Sequence, residues 1–219
     1  AWLRWDGGSL TTSRAIVSNY ANGEAFFALR VNASGQPVFA FAGDTAAAGQ
    51  LTSPARVNDN QWHFVAGAIE AGTEARLYVD GALQARTQTA VPSSITPDPA
   101  QDQYLYFARD GKHEATSGVG RWIGLLDETA VFAHPMVGGE VRQLYLDQIG
   151  HYGLNALWNL DETAASGGTI ADSVGDNDGT YTGTFYEQDG KFGTALGFDV
   201  FRSDTITVPY SDDLDSGSL

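Results

Sequence analysis

Cysteine is absent from the 219 residues, which excludes disulfide and thiolate chemistry. In a secreted bacterial protein that is ordinary, so the absence does not assign a redox compartment. Basic residues are scarce: 12 Lys and Arg stand against 27 Asp and Glu, for a net charge of −15. Nucleic acid is a poor partner for such a surface, because phosphate binding needs clustered Lys and Arg. Anionic membranes are disfavoured for the same reason. No run approaches the ~18 apolar residues of a membrane span, so membrane insertion is not expected. No signal-peptide pattern opens the chain. Its first residues, Ala1-Trp2-Leu3-Arg4-Trp5, already look like a strand, which reads as a piece of a longer precursor.

What is present is a large supply of core material. Hydrophobic residues make up 42% and aromatics 11%, enough for a substantial buried core and against disorder. The 26 glycines suit many tight turns. Strand signals dominate. Phe26–Val31 and Val38–Phe41 flank the turn Asn32-Ala33-Ser34-Gly35-Gln36-Pro37 and read as a hairpin. Gln61–Ile69 alternates, with Trp62, Phe64 and Ala66 on one face. Asp80-Gly81 lies between two β-type runs, a strong short-range hairpin signal. Tyr104–Phe107 and Trp122–Phe132 read as strands, the latter holding Asp127 and Glu128. Residues 88–103 and 109–120 read as loops. Val137, Val141, Leu144 and Tyr145 have the spacing of one short helix. After Gly150 the only basic residues are Lys191 and Arg202, and the strand candidates are Ala156–Leu160, Ala195–Phe198 and Thr205–Val208.

Several of these segments together resemble the laminin-G-like (concanavalin A-like) jelly-roll family. Val57-Asn58-Asp59-Asn60-Gln61-Trp62-His63-Phe64-Val65-Ala66, followed by Leu77-Tyr78-Val79-Asp80-Gly81, is similar to that family's core pattern "dgqWhhVa … lYvDG". Ile123–Phe132 with Glu140–Tyr145 resembles its closing strand and short helix. Gly153–Glu162, Ala171–Thr180, Gly190–Asp199 and Asp204–Pro209 resemble its opening strands and first loop. The resemblance implies an all-β, two-sheet antiparallel jelly-roll sandwich with one short helix, and a core anchored by Trp62.

The pieces come in permuted order. Residues 1–150 hold the body and closing strands, and residues 151–219 hold the opening strands. Joining Leu219 to Ala1 would nearly restore the usual order, a few residues of the joining strand excepted. A tandem array cut away from its module boundary would give this arrangement. The tail then completes either its own sandwich or that of a neighbouring copy, head to tail.

No catalytic set emerges. His63, His113, His134 and His151 lack metal-ligand spacing, and His63 faces away from Trp62. Glycosidases need two carboxylates across a cleft. The jelly-roll glucanases that share the resembled fold carry E-x-D-x-x-E on one strand, and that motif is missing here. Asp127-Glu128 and Asp161-Glu162 are adjacent pairs, which a strand would point to opposite faces. The loop 172–179 offers Asp172, Asp176, Asn177 and Asp178 within eight residues, oxygen ligands of the kind calcium takes. An ordinary solvated loop has the same composition. The resemblance adds Asp127 and Glu162 as ligands of a structural calcium. Sugar binding would use exposed aromatics; Tyr104 and Tyr106 share a strand face, and Tyr20, Tyr181 and Tyr186 look loop-borne.

The reading is a non-enzymatic, secreted or cell-surface bacterial module. Its role is structural or adhesive, one period of a tandem-repeat protein with neighbouring copies of itself as partners. The alternative is a carbohydrate-binding module of a secreted enzyme, with glycans as partners.

Overall fold

The computed structural model describes residues 1–6, 12–21, 24–41, 49–92, 103–109, 120–132, 134–146, 154–163, 168–183, 187–199, 203–211 and 214. The loops expected over 88–103 and 109–120 lie largely outside them. In chain order the strands are β1 (Trp2–Trp5), β2 (Arg14–Ala21), β3 (Glu24–Val31), β4 (Pro37–Phe41), β5 (Gly49–Thr52), β6 (Trp62–Glu70), β7 (Glu74–Val79), β8 (Ala82–Thr87) and β9 (Gln103–Phe107). There follow β10 (Gly124–Asp127), β11 (Thr129–Phe132), the helix α1 (Gly138–Tyr145), β12 (Leu154–Trp158), β13 (Thr169–Ile170), β14 (Gly179–Thr182), β15 (Glu187–Asp189), β16 (Thr194–Phe198) and β17 (Thr205–Pro209).

These strands build two large antiparallel sheets. One has seven strands in the order β15-β16-β10-β1-β6-β7-β8; the other has eight in the order β13-β14-β17-β9-β2-β3-β4-β5. A small third sheet joins β11 to β12. The all-β jelly-roll sandwich with one short helix is therefore what the chain adopts. Strands from the last third of the chain are built into the body: Leu196 of β16 lies opposite Leu126 of β10, Thr207 of β17 opposite Tyr106 of β9, and Leu157 of β12 opposite Ala130 of β11.

Alternation along each strand sorts the residues. On β17, Ile206 and Val208 are fully buried between the sheets, while Thr207 and Pro209 face outward. The inter-sheet core is rich in aromatics. Trp5 meets Trp122 edge-on at 5.2 Å, and Phe107 meets Trp158 edge-on at 4.9 Å. Truncating a buried aromatic of this kind costs roughly 3–5 kcal/mol. Trp62 is not part of this core. It is half-buried on the outer face of the seven-stranded sheet, beside Phe64 and Ala66, in a second cluster that packs Trp2, Tyr78, Met136 and Val141 near α1. The face shared by residues 62, 64 and 66 is thus the outer one, and Trp5, Trp122 and Trp158 anchor the interior.

Two local readings change. The strand expected over 122–132 is broken at Glu128, whose φ of 44° turns the chain from β10 into β11. Asp161-Glu162 follows Leu160, also at positive φ (63°), and lies outside any strand. Neither Asp-Glu pair therefore sits within one strand, although each remains split between different surroundings. The hairpin at Asp80-Gly81 is as expected. Both residues have positive φ, 50° and 74°, the two-residue turn whose twist matches antiparallel strands.

That turn also holds His63. Its Nδ1 bonds Asp80 Oδ2 at 2.8 Å and its Nε2 bonds Asp59 Oδ1 at 2.9 Å, while Phe64 N donates to Asp80 Oδ1 at 2.9 Å. Ionised carboxylates only accept, so both contacts are hydrogen bonds when both ring nitrogens carry protons, as in the imidazolium. The bond to Asp80 raises the His63 pKa above its ordinary value; burial opposes this, and Asp59 adds to it. A raised folded-state pKa gives stability that is fully present below the unfolded value of about 6.5 and is lost as pH rises through the folded value. An NMR titration of His63 is expected to give a midpoint above 6.5, and Asp80→Asn to lower it. An unshifted midpoint in the parent chain would remove the clamp.

Candidate functional site

The acidic loop after β13 is organised around Asp172, which is buried. Its Oδ1 accepts from Leu157 N at 3.0 Å and Val174 N at 3.1 Å. Its Oδ2 accepts from Asn177 N at 3.2 Å and Asn177 Nδ2 at 3.0 Å. Burial pushes the Asp172 carboxyl up, but these donors, with Gly175 N, outweigh it and hold it below the usual carboxylate range. Asn177 is equally engaged: its carbonyl accepts from the Trp158 indole at 2.9 Å and its side-chain oxygen from the Ser211 hydroxyl. Asp178 Oδ1 accepts from Asp172 N at 2.9 Å. Asp176 is exposed. The loop is thus a pinned turn that bridges β12 to the start of β14. The lone pairs of Asp172 go to N–H donors.

Asp127 and Glu162 differ. Asp127 is fully buried; its Oδ2 accepts from Lys191 N at 2.7 Å and Phe192 N at 3.1 Å, and its Oδ1 has no partner. Burial pushes its pKa up to about 6, against those backbone bonds. Glu162 Oε1 accepts from Ala171 N at 2.9 Å, and its Oε2 is buried without a partner. Its pKa too is raised, by burial first. The charge of Asp161 raises both further. Asp161, which sequence reasoning did not single out as a ligand, accepts from Thr194 N at 2.8 Å and Thr194 Oγ1 at 3.1 Å. Among the described residues, no group of three or more His, Asp or Glu side chains forms a ready metal cage. The six expected ligands therefore divide. Four belong to the loop, whose polar atoms are largely spent on the protein itself. Asp127 and Glu162 each keep a buried oxygen without a hydrogen-bond partner.

The outer face of the eight-stranded sheet carries the tyrosines. Tyr104 and Tyr106 project from β9, ring centres 5.8 Å apart. The Arg109 guanidinium lies 4.9 Å from the centre of the Tyr106 ring, which is almost fully buried; Tyr104 is half-buried. Strand register puts Thr207 and Ser18 on either side of Tyr106, and Pro209 beside Tyr104. Thr180 and Thr182 of β14, both exposed, continue the face. Tyr181, expected on a loop, is instead a fully buried residue of β14. Tyr20 lies on β2 and its side chain is outside what the structure describes, as is Tyr186. The threonine row was legible only once strand register was known.

A laminin-G model of the concanavalin A-like lectin/glucanases superfamily matches residues 1–142. No curated protein matches the chain by sequence. Among solved structures, the chain is similar to a candidate carbohydrate binding protein from Bacteroides ovatus, at 17% identity and a TM-score of 0.59, over 97% of this chain and 52% of that one. The chain thus spans about half of that protein's length. It is also similar to the CBM40 of the Ruminococcus gnavus IT-sialidase bound to α2,3-sialyllactose, at 15% identity and a TM-score of 0.54, over 66% of this chain and 80% of that one. The same CBM40 without that ligand gives 16% identity and a TM-score of 0.53, again over 66% and 80%.

Asp172→Ala removes the acceptor of these loop and strand donors and leaves them buried. It is expected to cost roughly 2–4 kcal/mol in urea unfolding. A loss under ~0.5 kcal/mol would show that the loop does not pin β12.

Proposed function

We infer, for a chain that belongs to the concanavalin A-like lectin/glucanases superfamily, a non-catalytic glycan-binding role on the outer face of its eight-stranded sheet. The observation that carries this is Tyr104. Its ring is half-open on a face otherwise lined by small hydroxyls, Thr180, Thr182 and Thr207, with Pro209 beside it. A pyranose offers an apolar C–H face to an aromatic ring and hydroxyls to hydroxyls, so this combination of surfaces suits it. Tyr106, covered by Arg109, packs beside Tyr104 and does not stack on sugar itself. The two similar structures, one a candidate carbohydrate binding protein and one bound to sialyllactose, support the ligand class. A secreted or surface-exposed bacterial setting goes with it. The structural, tandem-repeat role ranks second, because the comparisons favour glycan binding.

A structural calcium is the second element of this reading. It would be held by Asp127 Oδ1 and Glu162 Oε2, each a buried carboxylate oxygen without a hydrogen-bond partner. A doubly charged cation there would neutralise carboxylates that burial otherwise disfavours. Its role is to fix Lys191-Phe192 and the β12–β13 connection, with no part in ligand chemistry.

A glycan array should register binding by the parent chain and at least about tenfold weaker binding by Tyr104→Ala, a loss typical of an aromatic contact, with the far-UV CD unchanged. A fully silent array, or equal binding by the variant, would sink the assignment. Millimolar calcium is expected to raise Tm, and exhaustive chelation to lower it, by mass action on the native state. Identical Tm in both buffers would remove calcium.

A further inference from the structure

Arg109 owes its place over Tyr106 to a strained turn. Ala108, the residue after β9, has a φ of 62° and is fully buried. A non-glycine residue seldom adopts that conformation, and it persists only where its surroundings hold it. Here they do: Ala108 N donates to Ile16 O at 2.9 Å, and the Ala108 carbonyl accepts from Trp122 N at 2.9 Å. One residue on, the Arg109 carbonyl accepts from the Ser18 hydroxyl at 2.8 Å, and Ser18 is itself fully buried. The chain is thereby turned so that the half-buried Arg109 lies on the outward side of the sheet, its guanidinium 4.9 Å from the centre of the Tyr106 ring. Fixed at the backbone and set over a ring, this side chain gives up little further freedom on meeting a ligand.

Positive charge is gathered around it. Arg14 Nη1 donates to Arg121 O at 3.0 Å, and both arginines are buried. Arg121 Nη1 is buried with no hydrogen-bond partner among the described residues. Burial lowers the Arg121 pKa and the charge of Arg109 lowers it further, so the two guanidiniums are near enough to repel. Asp204 opposes that effect, with its Oδ2 already accepting from Asp199 N at 2.9 Å. Acids outnumber bases in this chain 27 to 12. Yet among the described strand side chains that share the outward face with Tyr106, from Thr180 on β14 to Gln50 on β5, none is a carboxylate. Like charges held together on a face without acids mark a place for an anion from outside the chain.

We propose that the sugar received on Tyr104 is an acidic one, a pyranose whose carboxylate is held by the Arg109 guanidinium, with Arg121 as a second positive charge beside it. The inference rests on the glycan reading of this face and narrows it to uronic or sialic sugars. Tyr106 sets the spacing. Its ring centre is 5.8 Å from that of Tyr104 and 4.9 Å from the Arg109 guanidinium, so the stacking ring and the cation flank a single side chain. A pyranose lying on Tyr104 with its carboxylate toward Tyr106 directs its charge at Arg109. The guanidinium N–H groups form a planar fork, which matches the two oxygens of a carboxylate through parallel hydrogen bonds. A neutral sugar would stack on Tyr104 equally well and draw nothing from the arginine. A face meant for stacking and hydroxyl contacts alone has no use for a guanidinium held against another.

The test is titration calorimetry of the full chain with two matched pairs: trigalacturonate against its methyl ester, and α2,3-sialyllactose against its methyl ester. Each ester removes the charge and keeps the pyranose. The acid of one pair is expected to bind at least about tenfold more tightly than its ester, and the pair that does so tells a uronic from a sialic ligand. Salt at about 0.5 M should erode that preference by screening. Arg109→Gln should bring the acid down to the level of its ester. Arg109→Lys, which keeps the charge but not the fork, should retain part of the preference. Equal affinity for acid and ester in the parent chain, with Tyr104→Ala weakening both, overturns the acidic class and leaves the glycan reading standing. Failure of all four sugars to bind counts against the glycan reading itself, and the acidic class falls with it. An acid preference that is indifferent to salt overturns the charge contact. One that survives Arg109→Gln, in a variant with the parental far-UV CD and Tm, overturns Arg109 as its holder.

Discussion

Trp158, brought from the last third of the chain to lie edge-on to Phe107, is the contact on which the rest of the structure depends. It is fully buried, and its indole N–H is committed to the Asn177 carbonyl. One side chain therefore joins three things: the inter-sheet core, the strand β12 and the acidic loop. The loop is fixed from the other end by Asp172, which takes the Leu157 N–H immediately before Trp158. The acidic residues of this loop are thus best understood as hydrogen-bond acceptors that hold an aromatic residue in place. Net negative charge and a buried core are here two aspects of one packing solution.

The fold was legible because its signals are local and repeated. Two-residue periodicity, the Asp80-Gly81 turn and the 137–146 helix pattern each depend on neighbours in sequence, and each is found. What sequence could not supply is which face of a strand looks inward. Trp62 shows this: alternation correctly groups it with Phe64 and Ala66, but the group packs on the outside near α1. Nor could it show positive φ at Glu128 and Leu160, which a non-glycine residue seldom adopts and no residue pattern announces.

The candidate site was less legible, for a related reason. Composition identifies oxygen donors but does not reveal whether their lone pairs are already in use. Asp172 and Asp127 look alike in sequence. In the structure one is surrounded by N–H groups and the other keeps an unpartnered oxygen. Similarly, Tyr181 looked loop-borne beside the strand pair Tyr104 and Tyr106, and only the fold shows that it is a buried residue of β14. His63 shows no metal-ligand spacing in the sequence, and only the fold brings Asp59 and Asp80 to its two ring nitrogens.

The long sequence separation between paired strands has a consequence for folding. On a ribosome adding roughly 5–20 residues per second, β9 and β10 emerge well before β17 and β16, the strands that will pair with them. Until they emerge, β9 lacks its β17 partner and β10 its β16 partner. Pairings this distant in sequence also slow folding, since loop closure precedes any compensating contact. In a cell crowded with copies of the same chain, the interval is one in which the tail of one molecule and the edge of another compete for the same hydrogen bonds. Yield on expression would then be governed by concentration and temperature during synthesis, more than by the stability of the finished sandwich.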